Sequence, residues 1–135
     1  MPFQAATYRI RVTANREMLI MKLMIVISLV LNIAVLVPVC YGLISDAEWA
    51  SESYGRATAA RGILLSVYIA IALTSLALLA RTEPKMVAAL LLVQIVYKVI
   101  TPFAVGTLTN PVVISNLLIA AIHSVTLVLI YRENR

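Results

Sequence analysis

The sequence predicts an all-α integral membrane protein, a four-helix bundle with a short interfacial helix between the first and second spans. The chain of 135 residues is 62% hydrophobic and only 13% charged, and its mean hydropathy is +0.99. Soluble domains are closer to half apolar and a quarter charged, so the composition argues against an aqueous globular fold. Four apolar runs are each near the roughly 20 residues that cross a bilayer as a helix.

The predicted spans form a single domain, residues 1–135, and lie at residues 22–44, 60–80, 84–105 and 111–131. The first run is longer than the apolar core of a signal peptide and no convincing cleavage site follows it, so we interpret it as a retained span. An organelle transit peptide is the alternative, because residues 1–16 hold arginines and no acid. Pro84 and Pro111 suit the first turns of the last two spans, and Asn110 is the expected cap of the fourth.

A polar segment separates the first two spans. Ser45 and Glu48 have the spacing of a capping box, in which each side chain bonds the exposed amide of the other. The pattern predicts a short helix from Asp46 to about Tyr54, lying at the interface and ended by Gly55. Its aromatic anchors are Trp49 and Tyr54.

The basic residues predict the orientation in the membrane. Arg56 and Arg61 lie on the side of the polar segment. The other side has many more cations: Arg9, Arg11, Arg16, Lys22, Arg81, Lys85, Arg132 and Arg135. The positive-inside rule therefore predicts a protein of the cell inner (cytoplasmic) membrane with both termini in the cytoplasm.

Small residues recur every four positions along the second span, at Gly62, Ser66, Ala70 and Thr74. Such a face lets another membrane helix approach closely, since lipid supplies no hydrophobic drive for association. We interpret this face as a helix-packing surface with no chemistry of its own.

Lys98 is a charge inside an apolar run that extends from Met86 to Arg132. Such a charge costs about 2.5–3.5 kcal/mol at the centre of a membrane helix on insertion scales. The favoured interpretation is that the long side chain reaches toward the interface. The alternative is that Lys98 faces the interior and meets an anionic ligand or a carboxylate, for which Glu52 is the candidate. Arg56 and Arg61 compete for the acids of the same segment.

Polar residues of different spans fall at matching depths, estimated at about 1.5 Å per helical residue. Asn32, Gln94 and His123 share a predicted middle layer, and Lys98 and Asn116 share an outer one. Mutual hydrogen bonds that specify packing are the favoured reading. The other reading is a polar ligand cavity, in which His123 binds heme, a quinone or a proton.

The sequence contains no catalytic motif and gives no sign of a metal site. No G-x-S-x-G, H-E-x-x-H or phosphate-loop pattern is present, and a single cysteine, Cys40, excludes an intrachain disulfide. The net charge of +5 lies in residues that flank apolar runs, which argues against nucleic-acid binding.

The four-span pattern, the polar segment after the first span and Ala60-Arg61-Gly62 at the start of the second resemble the small DoxX-like membrane proteins of bacteria. The resemblance covers most of the chain and implies the same architecture, without a role for any residue. The leading functional expectation is a non-catalytic accessory subunit or homo-oligomer. The alternative is a binding or transport module for a small amphipathic ligand (a lipid, a quinone or heme).

Overall fold

The computed structural model describes residues 2–133 and 135, while Met1 and Asn134 lie outside the described residues. These residues form five helices and no strand. Four helices are long and apolar enough to cross a membrane. The helices are α1 Pro2–Ile44, α2 Glu48–Tyr54, α3 Ala59–Ala80, α4 Pro84–Val105 and α5 Pro111–Glu133. The bounds of α3, α4 and α5 agree with the predicted spans to within two residues.

Helix α1 begins 20 residues before the predicted span, because residues 3–21 contain neither proline nor glycine and many good helix formers. Every side chain from Ala6 to Ile20 is exposed, and burial begins at Met21. Glu17 still pairs with Arg132 at the end of α5, so the part of α1 before it extends beyond the other helices by roughly 21 Å, at about 1.5 Å per residue.

The bundle is closed at one end and looser at the other. Helix α1 packs against α3 and α5, and α5 packs against α4, whereas α3 and α4 have few close backbone approaches. One apolar cluster, which includes Leu29, Leu78 and Leu91, joins these four helices near the α3–α4 turn. A second cluster, around Cys40 and Tyr68, lies near α2 and includes no fully buried residue of α4. We call these two regions the turn end and the α2 end.

The predicted capping box is wrong. Helix α2 begins at Glu48 after Ala47, which makes no capping bond, and the Ser45 hydroxyl donates to the Gly42 carbonyl instead. The physical reason is Asp46, which has a φ of 50° and accepts from Ser51 Oγ at 3.0 Å and from a guanidinium of α3. The chain turns at Asp46 to make these bonds, so Asp46 cannot start the helix. Gly55, with a φ of 83°, ends α2 as predicted.

The buried guanidinium of Arg61 holds the α2 segment on α3. It forms the ion pair with Asp46 and donates to the Gly55 carbonyl at 2.8 Å, to Ser51 Oγ at 3.2 Å and to the Leu43 carbonyl at 3.5 Å. The hydrogen bond from Arg61 is the main reason that the pKa of the Asp46 carboxyl lies below its usual value. Arg61 therefore binds the end of α1, the turn at Asp46 and helix α2 to α3.

Candidate functional site

Five polar side chains form a buried hydrogen-bonded layer across α1, α3 and α5, which we call the His123 layer. His123 Nε2 lies 3.0 Å from Asn32 Oδ1, and Asn32 Nδ2 donates to Ser75 Oγ at 3.0 Å. His123 Nδ1 lies 3.2 Å from Ser28 Oγ, which is 2.8 Å from Thr126 Oγ1. The depth argument therefore paired Asn32 with His123 correctly.

Both ring nitrogens of His123 are engaged, and the side chain is 0% exposed. Because Asn32 Oδ1 accepts, Nε2 carries a ring proton, whereas the donor in the contact between Nδ1 and Ser28 Oγ depends on the protonation of the ring. A heme iron would have to displace one of these bonds inside a closed layer. Sequence reasoning missed Ser28, although it lies one helical turn from Asn32, and that spacing could have identified it.

Gln94 was predicted to share this layer but bonds to none of its members. Its side chain is 1% exposed, and neither the amide oxygen nor the amide nitrogen has a hydrogen-bond partner among the described residues. Buried polar atoms without partners are rare in native proteins, and a bound water or a ligand is the usual partner of such an atom. Gln94 lies one turn before Lys98 on the same face of α4.

Lys98 points into the bundle and does not reach toward the interface as favoured above. The residue is 4% exposed, its Nζ donates to Asn116 Oδ1 at 2.9 Å, and the same atom lies 4.9 Å from the centre of the Tyr97 ring. The predicted outer layer of Lys98 and Asn116 is therefore present as a contact.

The structure does not form the predicted ion pair of Glu52 with Lys98. Among the described residues the ion pairs are Arg61–Asp46 and Arg132–Glu17, and Glu52 is exposed on α2. Glu52 remains in water because the desolvation of a carboxylate inside the bundle would cost more free energy than an ion pair with Lys98 would return. The buried ammonium thus has no carboxylate within 4.0 Å in the part of the chain that the structure describes.

A cavity of about 490 Å³ lies at the α2 end, in the space where α3 and α4 separate. Tyr54 and Tyr68 meet edge to face in its wall, with ring centres 6.1 Å apart and planes at 77°. Burial raises the pKa of the Tyr54 hydroxyl, so this group stays protonated and neutral. The remaining lining residues are Glu52, Ser53, Gly55, Leu64, Tyr97, Thr101, Val105, Asn110, Val112, Val113 and Asn116.

The lysine adjoins this cavity through its two neighbours. Asn116 and Tyr97 both line the cavity, and each lies against Lys98 Nζ. The Tyr97 hydroxyl is buried and has no hydrogen-bond partner among the described residues. A shallow apolar groove of about 650 Å³ runs along the outside of α4 and shares Tyr97 and Thr101 with the cavity.

Asn110 closes the α2 end of this site. Its Oδ1 accepts from Val112 N at 2.8 Å, which confirms Asn110 as the cap of the last span. Its Nδ2 donates to the Ser53 carbonyl of α2 at 3.0 Å. The link between α4 and α5 is thereby tied to the short helix that covers the cavity.

The predicted packing face of α3 points away from the bundle. Gly62, Ser66, Ala70 and Thr74 are all exposed, and nothing lies within 4 Å of a Cβ built at Gly62. The neighbours of α3 in this chain contact its other side, through residues such as Ser75.

Within residues 2–133 and 135, no three His, Cys, Asp or Glu side chains come together to hold a metal ion.

These features are compatible with the class of multi-pass helical membrane proteins. No family model, curated protein or solved structure matches the chain. The resemblance to DoxX-like proteins is therefore not supported by a match to any family model.

Proposed function

We propose that this protein is a non-catalytic binding or transport module that holds a small amphipathic ligand in the cavity at the α2 end. The observation that carries the proposal is a cavity beside Lys98, a buried ammonium without a carboxylate partner. Buried charges in proteins are normally paired. A cavity of this volume is within the range of small-molecule sites, which are largely apolar with a few placed polar groups.

The composition of the cavity wall supports an amphipathic ligand. Tyr54, Tyr68 and Tyr97 offer apolar ring faces with polar tips, and Asn116 offers an amide. The adjoining groove on α4 is nearly all apolar and open to the outside of the bundle. A lipid or a quinone has this division between head and tail. Heme is disfavoured, because both nitrogens of His123 are engaged and His123 does not line the cavity.

Extraction of the purified protein, with mass spectrometry of the released molecules and an absorption spectrum for heme, tests this proposal. Leu64→Trp fills the cavity from α3, and Leu76→Trp is the matched control on the outward face of the same helix. The expected result is a specific molecule released by the unchanged protein and the control but depleted in Leu64→Trp. The proposal fails if the unchanged protein releases bulk lipid alone, or if both variants retain the molecule equally.

A role as an accessory subunit or homo-oligomer is the second candidate, and the exposed small-residue face of α3 favours it. A face with Gly62 and Ala70 turned outward is available to another membrane subunit or to a second copy. Gly62→Leu should leave the fold intact, since a Cβ there meets nothing. Native mass spectrometry from mild detergent should find oligomers that Gly62→Leu dissociates, whereas a strictly monomeric unchanged protein contradicts this role.

Insertion in the inner membrane with cytoplasmic termini is proposed from the charge distribution along the chain. Leu108 is 65% exposed in the link beyond α4, and Glu83 is exposed in the α3–α4 turn. In a Cys40→Ala background, an impermeant thiol reagent outside intact cells should label Leu108→Cys but not Glu83→Cys. Reversed labelling contradicts the orientation.

A further inference from the structure

The buried end of the cavity is rich in hydrogen-bond donors. Lys98 Nζ has three N–H groups and gives one to Asn116 Oδ1. This contact turns the Asn116 amide nitrogen the other way, where its one bond to a described residue is a long one of 3.5 Å to Thr101 Oγ1. The Tyr97 hydroxyl has no acceptor among the described residues. Lys98, Asn116 and Tyr97 are thus neighbouring side chains at this end, and each has donor capacity that the described residues leave largely unused.

No carboxylate of a described residue compensates the positive charge of Lys98 at this end. Thr101 Oγ1 donates to the Tyr97 carbonyl at 2.8 Å, so its proton is already engaged. The three acids of the covering segment are not free to help, because Asp46 pairs with Arg61 and both Glu48 and Glu52 are exposed. A cationic ligand would add a second positive charge beside Lys98. An anionic group would supply the missing counter-charge and accept from all three donors.

The position of the groove indicates where an attached tail would lie. Tyr97 and Thr101 line both the cavity and the groove on α4, so the two spaces are adjacent and share these side chains as a common wall. The groove lining is otherwise aliphatic: Leu92, Val93, Val96, Ile100 and Ala104. A single alkyl chain attached to a head group at Lys98 would leave the cavity along this surface and remain in an apolar environment.

We infer that the ligand is an anionic amphiphile with one apolar tail, whose carboxylate or phosphate is bound by Lys98 Nζ, Asn116 Nδ2 and the Tyr97 hydroxyl. The inference rests on the proposed function and adds the charge and form of the ligand. Glu52 at the mouth disfavours an anion there, so the head group occupies the deeper end.

Binding of four probes to the full chain in neutral detergent tests the inference. The probes share a 16-carbon tail and differ in the head group: palmitate, hexadecyl phosphate, uncharged hexadecanol and cationic hexadecyltrimethylammonium. The expected order places one of the two anions first, hexadecanol about tenfold weaker and the cation weakest, because charge-assisted hydrogen bonds are about twice as strong as neutral ones. Comparison of palmitate with hexadecyl phosphate identifies the head group.

Two variants locate the anion. Lys98→Gln should weaken the preferred anion about tenfold and leave hexadecanol unchanged. Lys85→Gln is the control, since Lys85 is an exposed cation at the other end of the same helix. Tyr97→Phe removes a hydroxyl that has no partner, so the fold should remain, and it should weaken the anion about threefold. Tyr97→Phe decides the question if Lys98→Gln does not fold.

The inference is overturned if hexadecanol or the cation binds as tightly as both anions, or if the decisive variant leaves anion binding unchanged. In either case a molecule that Leu64→Trp depletes would leave the proposed function standing. If none of the four probes binds, the inference is wrong, and the extraction experiment separately decides whether the cavity binds anything.

Discussion

Replacement of Asn32 by leucine tests whether the His123 layer is structural. Asn32 is 3% exposed and bridges His123 Nε2 to Ser75 Oγ, with both bonds at 3.0 Å. Leucine has the same number and branching of side-chain heavy atoms as asparagine, so the substitution removes hydrogen bonds without leaving a cavity. If the layer holds the bundle together, Asn32→Leu should lower the free energy of unfolding markedly.

The magnitude follows from the two bonds and from the group left behind. Hydrogen bonds between membrane helices contribute about 0.6 kcal/mol each in measured cases, or about 1.2 kcal/mol for two. His123 is 0% exposed, and an unsatisfied polar group at such a position costs about 1–3 kcal/mol more. The expected loss for Asn32→Leu is therefore about 2–4 kcal/mol. Ser75→Ala removes one bond and leaves the buried Asn32 Nδ2 without its acceptor, so its loss should be about 1–3 kcal/mol. Ser66→Ala, on the exposed face of the same helix, is the control and should be within about 0.5 kcal/mol of the unchanged protein.

SDS-induced unfolding in mixed micelles, followed through the fluorescence of Trp49, the single tryptophan, provides the assay. In a double-mutant cycle, Asn32→Leu with His123→Leu should destabilise less than the sum of the two single changes by about 1–2 kcal/mol. Zero coupling, or an Asn32→Leu loss no greater than that of Ser66→Ala, would refute the structural role of the layer and return His123 to the candidate ligands.

Two further predictions concern the segment that covers the cavity. The pKa of Asp46 is lowered in the folded state, so the ion pair with Arg61 stabilises the fold fully above the ordinary aspartate pKa of about 3.9. This stabilisation is lost as the pH falls through the lowered value. The thermal unfolding temperature of the unchanged protein should accordingly fall below about pH 4. Asp46→Asn should have a lower unfolding temperature at pH 7 and a smaller decrease in acid, and an equal decrease in both proteins contradicts this account. Gly42→Ala should displace the indole of Trp49 and shift the tryptophan emission, because the added Cβ would overlap that ring. An unchanged emission spectrum would mean that Trp49 does not pack on Gly42.

Residue order and hydropathy were enough to find the elements along the chain. Four apolar runs predicted the long helices, and the caps and breaks at Gly55, Pro84, Asn110 and Pro111 lie where the structure has them. Depth arithmetic paired Asn32 with His123 and Lys98 with Asn116, because the rise of a helix per residue is constant. These features depend on local geometry and on the length of a span, and both can be counted from the sequence.

The rotation of each helix about its own axis was decided by tertiary packing alone. A span that is apolar on every side does not indicate which face turns inward. The small-residue face at Gly62 was therefore predicted as a contact but points outward, while Lys98, expected at the interface, points inward. Arg61 reaches the carbonyls of Leu43 and Gly55 only because α1, α2 and α3 converge there. The cavity has the same origin: α3 and α4 are joined by a short turn and separate toward α2, and no local pattern in either helix records that divergence.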